Sequence, residues 1–155
     1  MAMIETAFHR TPFASPGVTM QPPGGRTLVT LPTYYQVSWS ERGFEPGEID
    51  SLNPRDWFGL DVRVKPLFES VTYAFGDGAG EGPTRDLGGP YPTGGIVHAY
   101  ESGGVFDVQA SAVLTGQVSL NGSAWIDIPG HADVAGPVVP LTVLTARNHL
   151  YLPGD

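Results

Sequence analysis

No cysteine occurs among the 155 residues of this chain. That absence excludes a disulfide framework, a thiolate metal site and a thiol nucleophile. Charge is scarce too: 15% of residues are charged, 16 acidic against 8 basic, for a formal net charge of −8. Lys65 is the sole lysine. A chain of this sign has no general attraction to phosphate backbones or anionic membrane surfaces, so nucleic acid is not an expected partner. No apolar run reaches the roughly 18 residues of a membrane span, so no span is expected either. The opening MAMIETAFHR lacks the charged-then-apolar pattern of a signal peptide, which fits either a cytoplasmic protein or one whose leader and anchor have been removed.

What the chain has in quantity is breakers. Gly 21 and Pro 15 are too many for a helical protein, yet 41% of residues are hydrophobic and the breakers fall between apolar runs. Short strands joined by turns have that composition. Residues 1–26, centred on TPFASPGVTMQPPGGR, read as an irregular N-terminal arm, extended or polyproline-like. Residues 4–23 of that arm suit docking along a second copy or a partner chain, because they are poor in charge and apolar in places.

From Thr27 the pattern becomes that of strands. Tyr35, Val37 and Trp39 alternate with Gln36 and Ser38, and Pro32 splits the stretch or marks a sheet edge. SERGFEPGEIDSLNPRDWFG is a polar loop with a helical turn near Asn53–Trp57, Pro54 at its first position. Leu60, Val62 and Val64 alternate with Asp61, Arg63 and Lys65, and Val71, Tyr73 and Phe75 repeat the period. After a loop over 76–95 come a short strand, IVHAY, and a long one placing Phe106, Val108, Ala110 and Ala112 on one face. QVSLNGSAWIDI reads as a hairpin, since Asn-Gly supplies the two positive φ angles of a tight turn. VVPLTVLTAR is the last strand. About seven to eight strands without a long helix give an all-β sandwich over residues 27–149, followed by a C-terminal tail at 150–155.

The stretch VTYAFGDG, then VHAYESGGVFDVQASAV, resembles the PKD (polycystic kidney disease) domain, an immunoglobulin-like sandwich module. The matching positions are Tyr73, Phe75, Gly76, Asp77, Gly78, His98, Tyr100, Gly104, Phe106 and Val108. Tyr73 stands where that family usually has tryptophan, and the loop between Gly78 and His98 is long. Over most of its length the chain also resembles secreted actinobacterial proteins carrying such a domain. The resemblance implies a non-catalytic structural or adhesion module, secreted or held in the cell envelope. It would make protein–protein contacts, self-association included, or act as a spacer.

The residues themselves give the same picture. Gly76 and Gly78 permit a turn in which the Asp77 carboxylate accepts backbone N–H bonds, and the Tyr100 hydroxyl can tie a corner to backbone. A phosphate loop is excluded, because Pro83 and Pro90 forbid the helix it must open. Catalysis has little to stand on: His9, His98, His131 and His149 lie scattered, no G-x-S-x-G elbow is present, and His98 reads as packed or turn-bonded. No cofactor is expected. Calcium is the one metal with candidate oxygens, at Glu45, Glu48 and Asp50 and at Asp77 and Glu81, without EF-hand spacing, and a calcium-stabilised adhesin unit is one alternative. A carbohydrate-binding accessory module is another, stacking sugars on Tyr34, Tyr35, Trp39, Trp57 or Trp125. Tyr34 and Trp57 are the candidate partner surface; the others fit core and corner packing.

Overall fold

A computed structural model describes residues 2–145 of the chain, so the segment read as a C-terminal tail at 150–155 lies outside the described residues. The elements in chain order are α1 (Ala2–Arg10), β1 (Pro16–Gln21), β2 (Arg26–Leu28), β3 (Thr33–Trp39) and β4 (Asp50–Ser51). A 3-10 turn follows at Pro54–Trp57, then β5 (Val62–Ala74), β6 (Gly80–Thr84), β7 (Val97–His98), β8 (Gly104–Leu120), β9 (Ile126–Ala135) and β10 (Val139–Leu144). The protein is all-β with its sheets in a sandwich-like arrangement. Among the described residues no helix is long and apolar enough to cross a membrane.

The chain forms two compact units, and β5 and β8 give one part of their length to each. The first unit takes residues up to Ser15, Trp39–Ser70 and Ala112–Val134. Its core joins Ala7 and Phe8 of α1 to Trp57, to Val62 and Val64 of β5, to Val118 of β8, and to Ile128 and Ala132 of β9. The helix departs from the irregular arm that the sequence suggests, and its physical cause is local. No glycine or proline occurs before Pro12, Glu5 lies in the first turn, and His9 and Arg10 lie in the last. Ile4, Ala7 and Phe8 have helical spacing and carry one face into the core, which stabilises a helix too short to form alone. The Thr11 hydroxyl donates to the Ala7 carbonyl at 3.2 Å as the helix ends.

β8 runs through Gly116 as one strand of 17 residues where the sequence suggests two. A Cβ at Gly116 would lie 2.5 Å from the Phe8 ring, so the missing side chain is the space that the ring fills. Further on, Asn121 (φ 49) and Gly122 (φ 77) turn the chain into β9, the turn that Asn-Gly predicts. Asn121 fastens that turn to Asp61, donating its N–H to the Asp61 carbonyl and accepting the Asp61 N–H, at 2.8 and 2.9 Å.

The second unit takes Pro16–Ser38, Val71–Ser111 and the described residues from Ala135 on. One sheet orders β1-β3-β7; in the other β10 lies between β2 and β8, and β8 neighbours β5, which pairs with β6. β10 is antiparallel to β8 (Leu141 opposite Phe106) and parallel to β2 (Leu144 opposite Leu28). The period-2 pattern holds here: Tyr35 and Val37, Val71 and Tyr73, Val108 and Ala110, and Leu141 and Val143 are buried. The sheets meet through Tyr35 against Phe75, with ring centroids 4.7 Å apart, and through a hydroxyl bond of 2.8 Å between Thr27 and Thr33. Two elements had no sequence signal. β6 lies inside the stretch 76–95 read as a loop, where it pairs with β5, and β1 makes a strand of residues read as arm. Val18 of β1 and Ala14 before it are buried on this chain itself.

Candidate functional site

The second unit carries two concave regions. The first is built where β5 ends. Gly76 has φ +89, and a Cβ there would come within 2.6 Å of Asp107 backbone, so only glycine fits this close approach. Asp77 then accepts the Ala79 N–H on Oδ1 at 3.0 Å, the short-range bond expected of an aspartate in such a turn. Its Oδ2 is 2.7 Å from Nε2 of His98, 21 residues onward. Burial pushes the Asp77 carboxyl up, but the bonds from His98 and Ala79 outweigh it and hold the group below the usual aspartate range.

His98 stacks on Phe75 (centroids 4.3 Å, 7° between planes) and meets Tyr100 edge-on at 4.8 Å. Tyr100 in turn stacks on Phe106 at 4.9 Å. The Tyr100 hydroxyl donates to the Phe75 carbonyl at 2.8 Å and accepts from the Tyr35 hydroxyl at 2.9 Å. Burial raises both tyrosines, so each keeps its proton at neutral pH and remains a donor. Tyr73 donates instead to the Asp86 carbonyl, at 2.8 Å. The structure thus brings Phe75, Gly76, Asp77, His98, Tyr100 and Phe106 into one brace, while the Tyr73 hydroxyl is held by Asp86. Gly78 gives the turn a second positive φ, Gly104 opens β8 with φ +150, and Val108 is buried further along it.

A hollow of about 340 Å³ adjoins the brace, with Glu101 and Ser102 at its rim. Among the described residues no hydroxyl bonds to His98, and its bond to Asp77 holds a turn in place. No group of three or more His, Asp or Glu side chains gathers among the described residues in a way that could hold a metal ion. Glu48 accepts the Glu45 N–H at 2.8 Å within its own loop.

The second concave region is a groove of about 360 Å³ lined by Gln21, Pro22, Pro23, Leu31, Pro32, Tyr34 and Tyr91. Three segments make it: the end of β1, the turn between β2 and β3 with the start of β3, and the loop before β7. The Tyr34 and Tyr91 rings meet edge to face with centroids 5.4 Å apart. Tyr91 is 69% exposed, and its N–H donates to Oε1 of Gln21 at 2.8 Å. The lining is overwhelmingly apolar and contains no charged side chain.

The candidate partner surface therefore divides. Tyr34 lies half-buried in the groove, but Trp57 is a correction: it is 6% exposed, in the core of the first unit. The turn that Asn53 caps and Pro54 begins rolls the Trp57 ring inward, leaving Phe58 beside it 87% exposed. Trp39 packs edge-on against Phe68, and Lys65 Nζ lies 4.4 Å over the Trp125 ring. Sequence reasoning missed Tyr91, because it sits in a proline- and glycine-rich loop without periodicity. Compared with protein-family models, with curated proteins and with solved structures, the chain matches none.

Proposed function

We propose that this chain is a non-catalytic structural or adhesion module of the PKD, immunoglobulin-like type, acting outside the cell or in its envelope through protein–protein contacts. The observation that carries the reading is the groove at Tyr34 and Tyr91. An uncharged concavity walled by proline and aromatic rings leaves apolar surface in water that a partner can cover. The Asp77–His98 brace supports the same reading: its polar groups bond to each other and to backbone, as in a scaffold. The two tyrosine rings also favour a second reading, in which they stack a sugar.

Selection of a phage-displayed peptide library on the folded chain separates the two. Counter-selection on a Tyr34→Ala/Tyr91→Ala variant should leave peptides that bind only the unaltered groove. Enrichment indifferent to the double variant would overturn the reading. Binding of polysaccharides that the double variant abolishes, with no peptide enriched, would replace it with the carbohydrate module.

A further inference from the structure

The hydrogen-bonding inventory of the groove narrows its occupant, on the premise that the groove makes protein contacts. Its walls are Pro22, Pro23, Leu31, Pro32 and the two tyrosine rings. The carbonyl oxygen of the Gln21 side chain is taken by the Tyr91 N–H. The amide NH₂ of Gln21 and the hydroxyls of Tyr34 and Tyr91 have no partner among the described residues. The side chains of the groove therefore offer flat apolar faces with the Gln21 amide as a pure donor, two hydroxyls that can donate or accept, and an amide oxygen already engaged.

A partner running as a β-strand would bring as many N–H groups as carbonyls, and among the groove's side chains its N–H groups would find few acceptors beyond the two hydroxyl oxygens. A proline-rich segment has the complementary inventory. Each proline brings a carbonyl and no N–H, its ring lies flat on an aromatic face, and its polyproline II conformation is set before binding. Charge adds a second requirement: with a net charge of −8 and no charge in the groove itself, the chain attracts a segment flanked by arginine or lysine. We infer that the groove between Tyr34 and Tyr91 binds a proline-rich segment with basic flanks, prolines on the tyrosine rings and carbonyls at the Gln21 amide and the tyrosine hydroxyls.

The probe is a capped peptide of consecutive prolines with an arginine at each end, titrated into the isotope-labelled full chain and followed by amide NMR. Saturable shifts should centre on Gln21, Leu31, Tyr34 and Tyr91. Tyr91→Ala, at an exposed position where the fold is safe, should weaken binding about tenfold or more. Tyr91→Phe, which keeps the ring, should weaken it less, and raising the salt should weaken it further. Equal binding of a Gly-Ser peptide with the same arginines would overturn the inference, as would no saturable shift at millimolar peptide or indifference to Tyr91→Ala. An alternating Val-Thr peptide that shifts the same amides more strongly would sink the proline assignment and leave the protein-contact reading standing. Shifts with soluble oligosaccharides alone would remove both.

Discussion

Replacing Tyr100 by phenylalanine removes one oxygen and strands two groups. The Phe75 carbonyl loses the hydroxyl that donates to it at 2.8 Å, and the Tyr35 hydroxyl loses its acceptor at 2.9 Å. Both tyrosines are essentially fully buried, so water does not readily replace the lost bonds. An unsatisfied buried polar group costs about 1–3 kcal/mol, so Tyr100→Phe should lower stability by roughly 2–4 kcal/mol. Tyr35→Phe is the control. It removes only the donor to Tyr100, whose own bond to Phe75 survives, and should cost about 0.5–1.5 kcal/mol. The double variant leaves just the Phe75 carbonyl unpaired, so its loss should fall short of the summed single losses by about 1 kcal/mol. Urea unfolding of the four proteins measures these differences through the midpoint, provided the slope stays constant. If Tyr100→Phe proves no more damaging than Tyr35→Phe, or the losses simply add, the relay is not a coupled network and the argument fails.

Three other outcomes follow from the same geometry. A carboxyl held below its unfolded value adds stability that is complete above about pH 4 and is lost as pH falls through the folded value, and Asp77 is such a group. Asp77→Asn should therefore be less stable than the unaltered chain by about 1 kcal/mol at pH 7, with the gap narrowing as pH falls below about 4, in urea unfolding across that range; a pH-independent gap would refute the carboxylate's role. Gly116→Ala drives a methyl into the Phe8 ring and should cost about 1–3 kcal/mol, partly recovered when Phe8→Leu is added; losses that merely add would show the two sites to be independent. Phe8→Ala should cost about 3–5 kcal/mol in the same assay, and a loss below about 1 kcal/mol would mean that α1 is not part of the core.

Strands whose faces differ were legible before any coordinates. Leu60, Val62 and Val64 against Asp61, Arg63 and Lys65 announce β5, and Asn121–Gly122 announces the turn into β9, because both signals depend on neighbours in sequence. Asp77 as a turn residue belongs to the same class. Its partner His98 could be listed as packed or turn-bonded but not paired, since the link is made across 21 residues by the fold. Trp57 shows how a local reading goes astray. Its neighbours are polar, yet a capped turn in a polar loop can still aim one ring at a core assembled from distant strands and a helix. The helix itself was masked by the prolines that follow it. The groove was illegible for a further reason: its lining comes from positions near 21, 31 and 91, and none of those segments is unusual alone.

The buried tyrosines carry a consequence at the opposite end of the pH scale. Burial holds Tyr35 and Tyr73 far above the ordinary phenol range and raises Tyr100 as well, so each keeps its proton in the folded chain past the pH at which an unfolded chain releases it. Stability from such groups is complete below about pH 10 and drains away as pH rises toward their folded values, by up to about 4 kcal/mol per pH unit for three together. The hydroxyls that stitch the second unit at neutral pH thereby make it base-labile. The phenolate absorbance of these three tyrosines should appear in a single cooperative step with unfolding.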